Sequence, residues 1–422
     1  MQTRAVRIHG KNDLRLDEFE LPPIKDDEIL AQVIADSICM STYKAAKQGT
    51  DHKRVPNDIA ERPTIVGHEF SGRIVEVGKK WQGHFEPGIK FVVQPNLDFK
   101  DSMDAIGYSY EFMGGDATYV ILSNDVMQRN CLLTYEGEGY FPASLAEPMC
   151  CLINAFHSSY HTVHGEYRHD FGVLEGGKMA ILAGAGPMGL GAIDYALSCD
   201  RKPSLLMVTD IDSTRLARAE KFFPVEKATE RGTRLIFVNT KSLSDVKGRL
   251  LSYTEGKGYD DVLIMAAVKE VVECGDQILS RDGCLNFFAG PTDPAFTAEI
   301  NFYNVHYGKT HIMGTSGGQT RDMIEALAMT SKGLLNPAVM VTHVGGLDSA
   351  AETTLNLPNI PGGKKLIYTN INMPLTAVDD FAAKGRTNPV YEELARISER
   401  HNGLWSVEGE EHLLANGERL RG

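Results

Sequence analysis

Between residues 5 and 36 short apolar segments alternate with polar ones, starting with Ala5-Val6-Arg7-Ile8 and interrupted by Pro22-Pro23 and Lys25-Asp26-Asp27-Glu28. Alternation of period two with such breaks predicts β-strands. Thr64-Ile65-Val66, the glycine-bounded run from Gly72 to Gly78, and Ile89 to Val93 after the turn Glu86-Pro87-Gly88 continue the pattern. The first 150 residues therefore predict a small β-rich body with long loops, the places where function usually sits. After Glu147 the pattern changes. Leu152 to Tyr160 has helical spacing, and a polar insertion runs from His161 to about Glu175.

From Lys178 onward, apolar runs alternate with amphipathic stretches. Lys178 to Ala183, Leu205 to Thr209, Leu235 to Val238, Asp261 to Met265, Cys284 to Phe288 and His311 to Gly314 predict strands; Pro187 to Leu197 and Arg215 to Phe223 predict helices between them. Continuous apolar strands separated by helices indicate a doubly wound parallel sheet. Beyond residue 318 the chain is mostly helical and then returns to β-like segments, including Lys365 to Tyr368, which are expected to pack back on the N-terminal body. The fold class is α/β: a β-rich domain over 1–158 completed by 318–422, and a dinucleotide-binding type of sheet over 159–317. No internal repeat or low-complexity linker occurs, and Asp379 to Gly422 suggests no role beyond a cover or an exterior strap.

A chain of 422 residues exceeds what one core usually holds, in keeping with two domains. The net charge of −13, from 43 basic and 56 acidic residues, argues against nucleic acid or anionic membrane as a partner. It also means that an anionic substrate needs a local basic pocket. No run of about 18 apolar residues is present, so no membrane span is expected. Met1-Gln2-Thr3-Arg4 leads straight into a strand without a signal pattern, and the seven cysteines show no repeated spacing. A cytoplasmic protein with reduced thiols is expected.

Two groups of residues carry candidate chemistry. Cys39, His68 (in Gly67-His68-Glu69) and Glu147 (before Pro148) offer a thiolate, an imidazole and carboxylates at loop edges. Singly they read as a small buried hydrophobe, a core histidine and a helix cap; together they suit one catalytic zinc with an open position. Glu69 either joins the metal or supports its ligands from behind. Gly184-Ala185-Gly186-Pro187-Met188-Gly189 lies between a strand and a helix, and the next strand ends in Asp210. In that setting Gly184 permits a tight turn, Gly186 lets a pyrophosphate approach, and Gly189 lets the helix pack closely. Asp210 favours NAD over NADP, a preference that Arg215, just downstream, softens.

These landmarks, with Gly114 to Val120 and Gly314-Thr315-Ser316-Gly317-Gly318, resemble the zinc-dependent medium-chain dehydrogenase/reductase family over nearly the whole chain. The resemblance implies a GroES-like catalytic domain, a Rossmann domain, zinc on Cys39, His68 and Glu147, and a cofactor contact at Gly314. Glu147-Pro148 is similar to the polyol and sugar dehydrogenase branch. By the same likeness Ser41 relays the substrate proton and Lys44 continues the relay, and the protein is a homodimer or homotetramer. Val92 to Met113 contains no cysteine, so the structural zinc of many relatives is not expected. Thr42 stands where relatives carry a supporting aspartate, so support for the zinc ligands is expected from elsewhere. Gly107 to Gly115, Glu147 to Cys151 and the long C-terminal extension resemble the members that reduce a ketose phosphate, which implies L-sorbose 1-phosphate reduction to D-glucitol 6-phosphate. Lys44, Lys47 and Arg54 are then the candidate phosphate cations. The rival readings are a dehydrogenase of an unphosphorylated polyol or secondary alcohol, such as sorbitol, threonine or butanediol, and a nucleotide-sensing binding module.

Overall fold

The computed structural model describes residues 1–420. Its chain divides into two compact units, 1–147 with 323–422, and 148–322. The boundary falls at Glu147 rather than at residue 158 because the helix Ala146–Ser158 is built into the second core. There Phe156 packs edge-on against Tyr195 at 5.0 Å, and Asn286 donates to the Ala155 carbonyl. The second boundary falls at 322 rather than 317, because the buried Asp322 carboxylate accepts from the Gln319 backbone and faces His157.

The first unit is β-rich. Its main sheet runs Thr376–Ala377, Val341–Gly346, Lys364–Tyr368, Ile29–Ile38, Phe70–Val77, Lys90–Val93 and Leu132–Thr134, and Tyr119–Leu122 also pairs with Ile29–Ile38. Lys364–Tyr368 joins Ile29–Ile38 antiparallel, with Leu366 opposite Ser37, so the returning chain supplies a central strand. Asp13–Glu20, Gln2–Gly10 and Thr64–Ile65 form a smaller sheet. Ile29, Ala31, Val33, Phe70, Phe91 and Val120 fill the core, as the alternating pattern requires.

The second unit holds a six-stranded parallel sheet in the order Arg234–Asn239, Leu205–Asp210, Lys178–Leu182, Tyr259–Ile264, Leu279–Phe287 and His311–Gly314. By chain position this is third, second, first, fourth, fifth, sixth. The reversal beside the first strand creates the crevice where such sheets bind nucleotides. Burial on both faces explains the unbroken apolar runs, all six residues of Leu205–Asp210 being buried. The polar insertion after the first helix is a β-hairpin, Tyr160–Thr162 against His169–Phe171. It is pinned by Asp282, which accepts from the Thr162 backbone and hydroxyl and faces His311.

Candidate active site

Cys39 leaves the strand Ile29–Ile38 and opens the helix Met40–Gln48. His68 and Glu69 precede the neighbouring strand Phe70–Val77. Both sites thus sit at strand ends of one sheet. Gly67 makes the turn before His68 with φ +91°, and a Cβ there would lie 2.4 Å from Asp36 Oδ2 and 2.6 Å from the Asp116 nitrogen. No larger residue fits that turn.

One ligand atom each from Cys39, His68 and Glu69 lies within 4.8 Å of the others. Glu69 is already engaged: Lys364 Nζ donates to both carboxylate oxygens, at 2.6 Å to Oε2, and Ser37 donates to the same carboxylate. Burial alone would raise the Glu69 pKa, but Lys364, His68 and Ser37 bring it below the usual range. Glu147, in the first turn of its helix, is half-buried and lies outside that group of three, though near enough to feel its charges; desolvation pushes its carboxyl up to about 7, His68 opposes this, and Glu69 and Cys39 add repulsion. Burial also raises the Cys39 thiol and lowers the His68 imidazole, keeping both neutral. A thiol, a neutral imidazole and two carboxyl groups crowded into a buried space are a donor set that a divalent zinc ion would relieve, displacing the thiol and carboxyl protons. The three ligand atoms that the structure brings together are those of Cys39, His68 and Glu69, with Glu69 also held by Lys364.

The hydroxyls around this set are organised. Ser41 donates to Cys39 Sγ at 3.1 Å, lies 3.3 Å from His68 Nε2, and accepts from Tyr108 at 2.8 Å. Tyr108 is buried, and burial drives its pKa far up, so the phenol remains a donor. Sequence reasoning passed over Tyr108; its position between glycine and serine in a loop carries no periodic signal. Thr42 corrects the expectation of support from elsewhere, because its own buried hydroxyl lies 3.3 Å from His68 Nδ1 and does what the missing aspartate would do. Lys364 was also unforeseen. Lys44 lies one helical turn beyond Ser41 and is half-buried, whereas Lys47 is exposed in the last turn, where a cation favours the helix end.

Behind the turn lies an acid pair. Asp36 accepts from the Glu69 backbone at 3.0 Å, and Asp116 beside it has both oxygens buried without partners. Burial pushes Asp116 up to about 7, and burial with the neighbouring Asp116 and Glu69 charges pushes Asp36 well above the usual carboxylate range. Two carboxyls this close cannot both ionise.

In the second unit the glycine loop joins the strand Lys178–Leu182 to the helix Pro187–Ala196. A Cβ on Gly184 would meet Ile181 at 2.5 Å, and one on Gly189 would meet the Gly184 carbonyl oxygen at 1.9 Å. Gly186 faces open space, and Pro187 and Met188 begin the helix Pro187–Ala196. The first N–H groups of such a helix have no partner within it and favour an anion. Asp210, at the end of its strand, holds the loop by accepting from the Ala185 backbone at 3.2 Å. Arg215 lies in the first turn of the next helix, its backbone capped by Asp212. Gly314 ends the last strand opposite Phe287.

A thiol, an imidazole and a carboxylate gathered in a β-rich unit, and a glycine loop opening a helix in a doubly wound parallel sheet, are the features of the zinc-dependent medium-chain alcohol and polyol dehydrogenases. Residues 25–130 match the alcohol dehydrogenase GroES-like domain and residues 187–332 the zinc-binding dehydrogenase domain. The chain belongs to this family and is an NAD(P)-dependent dehydrogenase of the alcohol and polyol type. It is 51% identical to mannitol-1-phosphate 5-dehydrogenase of Aliivibrio fischeri, over 98% of this chain and 97% of that one. It is 47% identical to L-sorbose 1-phosphate reductase of Klebsiella pneumoniae, over 99% and 98%. Among solved structures, 2R,3R-butanediol dehydrogenase from Bacillus subtilis shares the fold, with a TM-score of 0.70 at 21% identity over 87% of this chain and 100% of that one. No helix among the described residues is long and apolar enough to cross a membrane.

Proposed function

We propose that this enzyme interconverts a ketose phosphate and a hexitol phosphate in the cytoplasm, as a homodimer or homotetramer, with reduction of L-sorbose 1-phosphate to D-glucitol 6-phosphate as its reaction and NAD(H) favoured over NADP(H). The observation that carries the reading is identity near one half, along the full length, to two enzymes named for hexose-phosphate chemistry. When bound, zinc supplies Lewis-acid polarisation of the carbonyl and the nicotinamide supplies the hydride. Cys39, His68 and Glu147 hold the metal, and Lys364 keeps Glu69 beside it. Ser41 delivers the proton that the new hydroxyl needs, with Tyr108 fixing its orientation and Lys44 continuing the relay. Gly184, Gly186, Pro187, Met188 and Gly189 hold the pyrophosphate, Asp210 the ribose, and Arg215 and Gly314 flank the cofactor.

The test is NADH oxidation with L-sorbose 1-phosphate beside free L-sorbose, and NAD reduction with mannitol 1-phosphate beside mannitol. Turnover of the phosphorylated members is expected to dominate; equal or greater turnover of the free sugars would move the substrate to an ordinary polyol. Cys39→Ala is expected to abolish both zinc retention and turnover, and an active, fully metallated variant would refute the site.

A further inference from the structure

The segment 44–54 carries Lys44, Lys47, Lys53 and Arg54 against a single acid, Asp51, in a chain whose net charge is −13. Asp51 is taken by Lys11. Lys53 and Arg54 enter no ion pair among the described residues, and Arg54 Nε is buried without a hydrogen-bond partner. Its guanidinium lies over the Tyr108 ring, 5.3 Å from the centroid, and the hydroxyl at the other end of that ring reaches Ser41 and His68. One aromatic ring thus separates the guanidinium from the imidazole of the metal set, and the charge of Arg54 bears on both His68 and Tyr108.

His52 stacks on Tyr108, with ring centroids 5.7 Å apart and planes at 11°. Burial, then Arg54, Lys53 and Lys44, depress its pKa to about 4, so three cations converge on one neutral imidazole. His52 Nδ1 accepts from the Arg54 backbone at 3.3 Å, which leaves the proton on Nε2 as a donor. Cations gathered where burial already penalises charge, with a guanidinium nitrogen left unsatisfied, make sense when an anion completes them. A guanidinium fork matches phosphate oxygens in pairs.

We propose that Arg54, flanked by Lys44 and His52, forms the subsite for the substrate phosphate and so distinguishes a sugar phosphate from a free polyol. The inference rests on the reading above that the substrate is phosphorylated. It narrows the three candidate cations: Lys47, exposed at the helix end, is excluded, and His52 is added.

The test is the ratio of kcat/KM for L-sorbose 1-phosphate to that for free L-sorbose, measured on the zinc-loaded, full-length enzyme. Arg54→Met is expected to lower this ratio about 10- to 100-fold, mostly through KM, as loss of a charge-assisted hydrogen bond implies. Arg54→Lys keeps the charge without the fork and is expected to fall between, which preserves the comparison should the methionine variant fold poorly. Lys47→Met is expected to leave the ratio within about twofold, since an exposed charge is screened. A wild-type preference for phosphate that survives both Arg54 substitutions would overturn the subsite while leaving the ketose-phosphate reading intact. A wild type without any phosphate preference would overturn that reading and the subsite with it. Equal losses for Arg54→Met and Lys47→Met would show a diffuse field rather than a site and refute the assignment.

Discussion

Lys364→Met should destabilise the first unit in a manner that depends on pH. Lys364 and Glu69 are both buried, and the ammonium is the only cation among the groups that shift the Glu69 pKa apart from His68, whose imidazole burial keeps neutral. Removing one partner of such a pair costs about 3–5 kcal/mol, because the other charge stays buried and uncompensated. For a unit of this size that corresponds to a fall in Tm of about 6–20 °C. The sign with pH follows from the protonation states. In the wild type the Glu69 pKa is depressed, so its contribution is present above the unfolded value of 4.5 and is lost as pH falls. Without Lys364, burial dominates and raises that pKa, so the variant loses stability as pH rises. The gap between the two proteins should therefore widen from pH 5 to pH 8. Thermal or urea unfolding of chelator-treated protein at both pH values measures it, free of stabilisation by bound metal. Glu69→Gln added to Lys364→Met should recover about 2 kcal/mol or more, since the orphaned charge is gone. A gap that does not change with pH, or a double variant no more stable than Lys364→Met, would refute the reasoning.

Three other outcomes are expected. Ser41→Ala should lower kcat at least about 100-fold while leaving the dissociation constant for NADH, from fluorescence titration, within about twofold; equal losses in both would refute its part in proton transfer. Gly186→Val should fold normally, because nothing lies within 4 Å of its Cβ position, yet weaken NADH binding more than about 100-fold by occupying the pyrophosphate cradle; unaltered binding would remove the loop from the cofactor site. Glu410 accepts from the Phe141 backbone and the Tyr368 hydroxyl at 2.8 Å each and from the Tyr140 backbone at 2.5 Å, and burial pushes its pKa up to about 7. Its contribution to stability is present below pH 4.5 and lost as pH rises through 7, so the destabilisation by Glu410→Gln, about 1–3 kcal/mol, should shrink between pH 5 and pH 8 in urea titrations. A gap that grows over this range would refute that account.

Glu410 also gives the C-terminal extension a physical role. Its carboxylate ties the helix Val407–Asn416 to the backbone just ahead of Glu147, and Ser71, two residues past Glu69, holds the same loop by donating to the Tyr140 carbonyl at 2.6 Å. Tyr368 completes the clamp and receives the Trp405 indole N–H at 2.8 Å. The strand Lys364–Tyr368 therefore serves both ends of the site, holding Glu69 through Lys364 and Glu410 through Tyr368. A reader of the sequence sees only acidic residues and a tryptophan in that extension.

What the sequence determined by itself is what depends on near neighbours. Strand and helix periodicity is set over a few residues, so the run from Lys178 to Gly314 could be read as alternating strands and helices. The glycine loop was legible for the same reason: turn, cradle and close packing all involve residues 181 to 189. Cys39, Ser41, His68 and Glu147 could be named because their chemistry is distinctive and the family spacing carries them. Tertiary structure alone decided their surroundings. Thr42 meets His68 across 26 residues, Tyr108 meets Ser41 across 67, Lys364 meets Glu69 across 295 and Glu410 meets Tyr140 across 270. No local pattern encodes these pairs, since each depends on which strand lies beside which. The same holds for charge: Lys44, Lys47 and Arg54 look alike in the sequence, and only burial and the ring of Tyr108 set Arg54 apart from an exposed lysine at a helix end.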